Sequence, residues 1–318
     1  MRLPTNSKTM INRTKTILLS FIAILTVSCG GGDKAFNRNG STKSLFTVAP
    51  GKQVRFSRGN LQYQASTGTW RFAENQYDII GEDNKYIDSA YDGWIDLFAF
   101  GTSGAVRPPY YAGSDPFNTG NDLYGKSQWD DDDRDYSQDD WGVYNAIQNG
   151  GNRKGMWRTL MSDEWIFLFR DRECADDKWA FATIDDCHTG VVVLPDVWEQ
   201  PTDILFMSGS AYGFETNTYT LEEWAALENA GAIFLPEAGC RYGNIYKSRF
   251  VKNEDFNFFC DKNGYWSSDI FNEHDAVYLS FDIMSHESIH GHNFGYVDLM
   301  LSESWYAGLS VRLVMDGK

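Results

Sequence analysis

The sequence predicts an α+β fold of short, mostly antiparallel strands with two main helices and long loops. Three observations carry that reading. From Leu45 onward, brief runs of alternating or continuous apolar residues recur between turn-forming clusters. Only two segments join a capping signal to apolar residues at helical spacing. Strands and helices also lack the regular alternation that builds a parallel βαβ sheet. The 318 residues are 42% apolar and 15% aromatic, with 11 Trp, 17 Tyr and 21 Phe. That composition supplies a core and excludes a disordered or collagen-like chain.

In chain order, Val54/Phe56, Leu61/Tyr63 and Trp70/Phe72 alternate with polar residues, and Ser66-Thr67-Gly68-Thr69 supplies a turn that makes a hairpin. Residues 80–140 are rich in Gly, Asp, Asn, Ser and Pro and read as a long loop, of a length that is either functional or structured in its own right. The first helix opens at Ser162 as cap, with Asp163 and Glu164 at the positive end of the dipole and Trp165, Leu168 and Phe169 facing the core. The second opens at Thr220, where Glu223 completes a capping box, and ends at Ala230-Gly231. Val191–Leu194, Ala232–Leu235, Val277–Phe281 and Leu309–Val314 read as buried strands.

The N-terminus points to export. Arg2, Lys8, Arg13 and Lys15 precede an apolar run from Ile17 to Val27, about 11 residues, where a spanning helix needs ~20. Thr26-Val27-Ser28-Cys29 resembles the lipobox of bacterial lipoproteins, with Leu25 one place early. The resemblance implies a signal peptide over residues 1–28 and lipidation of Cys29, whose several acyl chains give a stable anchor. The expected location is the cell envelope, as an outer-membrane lipoprotein. Residues 29–44, rich in Gly, Ser and Asn, read as a flexible tether, and 45–318 as a single domain. Against 44 acidic residues stand 28 basic ones, four of which lie in residues 1–28. No basic cluster offers itself to phosphates, so nucleic acid is excluded as a partner. Cys174, Cys187, Cys240 and Cys260 can pair outside the cytoplasm in three ways; proximity favours Cys174–Cys187 and Cys240–Cys260, and unpaired thiols remain equally open.

Trp157-Arg158, followed after five residues by Glu164-Trp165, resembles a signature of C-type-lectin-like domains related to the formylglycine-generating-enzyme group. Leu235-Pro236-Glu237-Ala238-Gly239 with Arg241, Gly264-Tyr265-Trp266-Ser267-Ser268 and Gly308–Val314 are similar to the Fibrobacter succinogenes major paralogous domain family, frequent in exported lipoproteins of Bacteroidetes. Val54–Tyr63 is similar to the N-terminal part of those lipoproteins. The resemblance implies a C-type-lectin-like fold whose first and last strands pair. By their chemistry, Trp157, Arg158, Glu164, Trp165, Trp266 and Arg312 read as a structural signature: buried indole N–H groups seek acceptors, and guanidinium groups make forked hydrogen bonds. The paired cysteines that the formylglycine-generating type carries near its C-terminus are missing, since none follows Cys260.

Three constellations could carry chemistry. His286-Glu287-Ser288-Ile289-His290 matches the zinc-hydrolase pattern, with His292 following, but Gly291 and Asn293 break a helix, and in a strand the two imidazoles stand roughly 13 Å apart. A loop-type metal site of His286, His290 and His292, with His274 as a further ligand, is the other metal reading, and a plain polar solvent loop stands against both. Asp131, Asp133 and Asp135 could contribute to structural calcium, although Tyr136 and Gly142 fill positions where a calcium loop needs Gly and Glu. Tyr110, Tyr111, Tyr124, Trp129 and Tyr136 could stack on sugar rings beside these carboxylates. No nucleophile elbow or phosphate loop is present. The expected function is therefore non-catalytic binding of a glycan or a surface protein, with no cofactor other than that calcium. A metal-dependent hydrolase using His286, Glu287 and His290 and a structural subunit of a surface assembly are the alternatives.

Overall fold

A computed structural model of the protein describes residues 35–317 apart from 87, 106–107, 110–139, 210–215, 244, 249–262, 273–274 and 286–292. Its architecture is mixed, with several small sheets and few helices, compatible with α+β. Among the described residues no helix is long and apolar enough to cross a membrane.

The central sheet joins the two ends of the described chain. Strands β1 (Phe46–Ala49) and β2 (Lys52–Phe56) form an antiparallel hairpin. On β2 lies the last strand, β16 (Leu313–Asp316), with Val314 opposite Phe56, and β16 in turn pairs with β5 (Arg158–Thr159). Phe46, Val48, Val54 and Phe56 point inward by strand alternation and share a core with Trp165, Leu168, Val191, Leu235 and Phe281.

A second core lies beneath the hairpin of β3 (Leu61–Gln64) and β4 (Thr69–Phe72). It also gathers Trp157, Trp266 and the segment Ile95–Phe100, so the start of the expected loop is structured: a 3-10 turn over Gly81–Lys85, then Ile95 bridged to Tyr63 and Phe98 to Leu309. The short helix α1 (Trp141–Tyr144) follows, capped by Asp140, whose Oδ1 accepts the N–H groups of Gly142 and Val143.

Helix α2 (Ser162–Ile166) begins one residue earlier than its cap signal suggests. Met161 occupies the cap position, and Glu164 accepts its N–H at 2.9 Å, so the reaching carboxylate replaces the Ser162 hydroxyl. After one turn the helix widens into a π-turn over Phe167–Asp171. A further sheet, ordered β8-β6-β7-β9, contains β6 (Trp179–Ile184), β7 (His188–Val193), β8 (Thr218–Tyr219) and β9 (Ile233–Pro236), with only the β6–β8 pair parallel. Across this sheet lies α3 (Leu221–Asn229), whose Trp224 and Leu227 enter a third core. Its capping box forms as its sequence requires: Thr220 Oγ1 accepts from the Glu223 N–H and Glu223 accepts from the Thr220 N–H.

The C-terminal part carries β10 (Cys240–Tyr242), β11 (Ile245–Lys247), β12 (Asn263–Ile270), β13 (Asp275–Ser285), β14 (Asn293–Ser304) and β15 (Ala307–Gly308). Strands β12, β13 and β14 form a meander, and β10 lies between β11 and β15. The run Leu309–Val314 is not one strand: Leu309 and Ser310 make isolated bridges, and only Leu313 and Val314 join β16.

Two expectations need correction. Residues 35–44 are packed rather than free: Ala35, Phe36, Ser41 and Thr42 are buried, and Phe36 bridges Thr42 while Ser41 bridges Ser57. Burying the Phe36 ring offsets the entropy lost in ordering this polar stretch. Cys174 and Cys187 are free and exposed thiols, whereas Cys240 is disulfide-bonded. Cys174 precedes β6 and Cys187 follows it; a six-residue strand spans about 20 Å, beyond the reach of one bridge.

Candidate functional site

Of the residues singled out from the sequence, Cys29, Tyr110, Tyr111, Tyr124, Trp129, Tyr136, Asp131, Asp133, Asp135, His286, His290 and His292 lie outside the described residues, as does Cys260. Among the described residues no three His, Cys, Asp or Glu side chains converge as a metal site.

The signature residues occupy the cores. Trp157 donates its indole N–H to the Gly150 carbonyl at 2.8 Å, and Trp266 donates to Phe98 at 2.7 Å. Trp165 departs from the expectation: its N–H meets no acceptor among the described residues, and the ring is held by Phe56, Phe169 and Tyr265 at 6.0–6.4 Å between centroids. Arg158 forms a fork with Glu164. Arg312, fully buried, instead reaches two carboxamide oxygens, Asn60 Oδ1 at 3.3 Å and Gln76 Oε1 at 2.6 Å.

A cleft of about 50 Å³ opens where four segments meet. Ile79 comes from the lead-in to the 3-10 turn; Cys187, His188 and Thr189 from the β6–β7 corner; Pro236, Glu237 and Gly239 from the exit of β9; Tyr246 and Ser248 from β11 and its end. The corner is Asp185-Asp186-Cys187, with Asp185 and Asp186 at φ 51° and 56°. Asp tolerates this left-handed region better than bulkier residues, and the tight corner presents Cys187 and His188 at the cleft mouth. Tyr77 packs its ring against His188, with centroids 5.0 Å apart and the planes tilted by 36°.

Hydrogen bonds orient the floor. Glu237 Oε2 accepts from Thr189 Oγ1 at 2.6 Å and Oε1 from Asn263 Nδ2 at 3.0 Å, while Asn263 Oδ1 receives the Gly239 N–H at 2.7 Å. Gly239 has φ +78°, and a Cβ there would strike the Lys247 carbonyl and the Tyr246 ring. Only glycine lets Tyr246 lie over this turn, with its hydroxyl donating to Ala238 O at 3.3 Å. Burial, then Asp96 and Glu82, pushes the Tyr246 phenol up to about 12, so it stays a neutral donor. Slight burial together with Asp185 and Asp186 raises the Cys187 thiol, the reverse of what activates a nucleophile.

Fold and cleft together describe a mixed α+β protein with a small surface cleft lined by both polar and apolar groups. No protein-family profile, curated protein or solved structure matches the chain significantly. The cleft was missed in the sequence because its contributors span Ile79 to Ser248. The local signals were Glu237, inside a motif already noted, and two adjacent Asp residues between strands.

Proposed function

We propose that this chain is a lipid-anchored, non-catalytic protein of the cell envelope with a C-type-lectin-like domain of the Fibrobacter succinogenes major paralogous type, and that its cleft binds a glycan. The observation that carries the reading is the convergence of Thr189, Glu237, Tyr246 and Ser248 beside the Tyr77–His188 ring pair. Sugars are held by polar groups that orient hydroxyls and by flat rings against C–H faces, and both occur here. At roughly 30 Å³ per water molecule, the cleft takes the hydroxyl-bearing edge of a sugar rather than an enclosed substrate. The raised Cys187 thiol favours binding over covalent catalysis. The pairing of β2 with β16 and the buried Trp157, Trp165 and Trp266 support the lectin-like reading.

A glycan array probed with the full chain, followed by titration of hits, tests this. A sugar ligand should be found, and Glu237→Gln should weaken it about tenfold or more, the cost of losing a charged acceptor. No binding at millimolar concentration, or equal binding by Glu237→Gln and His188→Ala, would overturn the proposal.

A further inference from the structure

The chain as a whole carries 44 acidic against 28 basic residues, yet two long stretches hold no acid at all. Residues 35–73 contain six Lys and Arg and residues 141–162 contain three, with no Asp or Glu in either. The fold brings the two together where the described residues start. Gly40 lies against the Asn149 carbonyl, and Asn149 exchanges hydrogen bonds with the Phe72 backbone, accepting its N–H at 2.7 Å and donating to its carbonyl at 2.9 Å. Asn39 lies beside Gly151, which opens the exposed turn that carries Arg153 and Lys154.

Six cations stand around residues 35–44. Arg38 and Lys43 are exposed within that loop, and the Lys43 N–H donates to the Ala35 carbonyl at 3.0 Å. Arg55 on β2 directs Nη1 at the carbonyls of Thr42, Lys43 and Ser44, and the Arg58 guanidinium lies over the Phe36 ring, 5.5 Å from its centroid. Arg153 and Lys154 complete the group. Among the described residues Arg38, Arg55, Arg153 and Lys154 form no ion pair. Glu164 and Asp316, two carboxylates that reach the adjoining sheet, are already matched by Lys52 and Arg158. Glu74, also exposed, stands at the margin, where Arg58 Nη2 donates to its backbone carbonyl at 3.2 Å. No run of Lys and Arg marks this face in the sequence, because three separate segments assemble it.

We propose that this basic face is where the protein rests on its membrane, its cations against the anionic phospholipid headgroups of the leaflet that holds the anchor. The proposal rests on the lipid-anchored reading for the position of Cys29. Ala35 and Phe36 are buried, so the tether ends at Ala35. From Cys29 to Ala35 the chain reaches at most about 20 Å, whereas a tether free to residue 44 would reach roughly 50 Å and let any face turn to the bilayer. A lipidated Cys29 therefore keeps the loop and its cations near the lipid. Each Lys or Arg close to an anionic surface strengthens binding about fivefold. The same surface repels the acidic remainder of the chain, so charge turns the basic face inward.

The test is hydrogen exchange by mass spectrometry on the full chain, with vesicles of phosphatidylcholine alone or of phosphatidylcholine with one third phosphatidylglycerol. Amides in 35–44 and 150–156 should exchange about fivefold or more slowly on the anionic vesicles than on the neutral ones. Salt at about 0.5 M, which shortens the Debye length to roughly 4 Å, should remove the difference. Val191–Val193 in β7 should not respond. The triple variant Arg38→Gln, Arg153→Gln, Lys154→Gln changes exposed side chains only, and should lose the protection while keeping that of β7. Exchange that ignores lipid charge, or protection that the triple variant retains, overturns the proposal. So does equal protection by a duplex oligonucleotide in solution, which would make the face a general polyanion site. The mass of the N-terminal peptide reads the anchor separately. An unacylated chain that anionic vesicles still protect keeps the basic face and removes only the anchor, whereas an acylated chain without that protection keeps the anchor and removes the face.

Discussion

Arg158 and Glu164 form a two-pronged ion pair, Nη1 to Oε2 at 2.6 Å and Nη2 to Oε1 at 2.8 Å. The pair ties β5 to the first turn of α2, and it is shared. Arg158 Nε also donates to Asp316 on β16 at 3.0 Å, and Lys52 on β2 reaches Glu164 Oε1 at 2.7 Å. The Arg158–Glu164 pair thus cross-links four elements, β2, β5, α2 and β16. Burial pushes the Glu164 carboxyl up, but Arg158, Lys52 and the Met161 N–H outweigh it, and the net position is below the ordinary carboxylate range.

Replacing Glu164 by Gln should therefore cost about 1–3 kcal/mol in urea unfolding near neutral pH, since Arg158 loses its two-pronged partner and keeps only Asp316 and the Thr159 carbonyl. The native pair lowers the folded-state pKa of Glu164, so its contribution is present above pH 4.5 and declines as pH falls further; Glu164→Gln should flatten that part of the acid profile. A loss under about 0.5 kcal/mol would mean the pair is no more than a surface contact.

Gly142→Ala inverts the ordinary expectation for a helix. Alanine favours helix over glycine by about 1 kcal/mol, yet a Cβ at 142 would lie 2.5 Å from the Trp157 carbonyl carbon and 2.7 Å from the Arg158 nitrogen. Both are backbone atoms and cannot rotate away. The variant should lose roughly 1–3 kcal/mol of stability, and a gain in melting temperature would contradict the close approach of α1 to β5.

Arg312 separates charge from volume. Its guanidinium is fully buried, and burial drives it down to about 10 despite Tyr265 and Glu228. Its acceptors keep other donors, Gln76 Oε1 the Phe234 N–H and Asn60 Oδ1 the Tyr265 hydroxyl. Arg312→Met should accordingly fall within about 1 kcal/mol of the native protein or exceed it, while Arg312→Ala, which leaves a cavity, should cost about 3–5 kcal/mol. Equal destabilisation by both, read from denaturant curves, would assign the residue an electrostatic role instead.

Cys187 is exposed, yet it should alkylate more slowly with iodoacetamide at pH 7 than an unstructured cysteine peptide, because partial desolvation and, after it, the Asp185 and Asp186 carboxylates oppose the thiolate. Asp186→Asn, or added salt, should accelerate the reaction as followed by mass spectrometry. An unchanged rate in Asp186→Asn would remove that carboxylate from the account.

The legible parts of this protein are the local ones. The Thr220–Glu223 capping box, the β3–β4 hairpin and the buried strands at 191–193 and 233–235 formed where residue type and spacing place them. The 35–44 segment misleads because its polar, Gly-containing composition is that of a tether, and only the contacts of Phe36, Ser41 and Thr42 hold it. Trp165 shows the converse: indole chemistry asks for an acceptor, and aromatic packing takes its place.

What the chain by itself determined is therefore its short-range grammar: α+β class, the Thr220 cap, turn sites and which faces of each strand turn inward, since these depend on neighbours within a few residues. Tertiary structure alone decided that Ile79, Thr189, Glu237 and Tyr246 share a cleft, and that Asp96, otherwise an ordinary acidic residue, sits dry against Asn84 and Ile80. Both outcomes arise from contacts between distant segments, which packing and the exclusion of water set and local sequence does not encode.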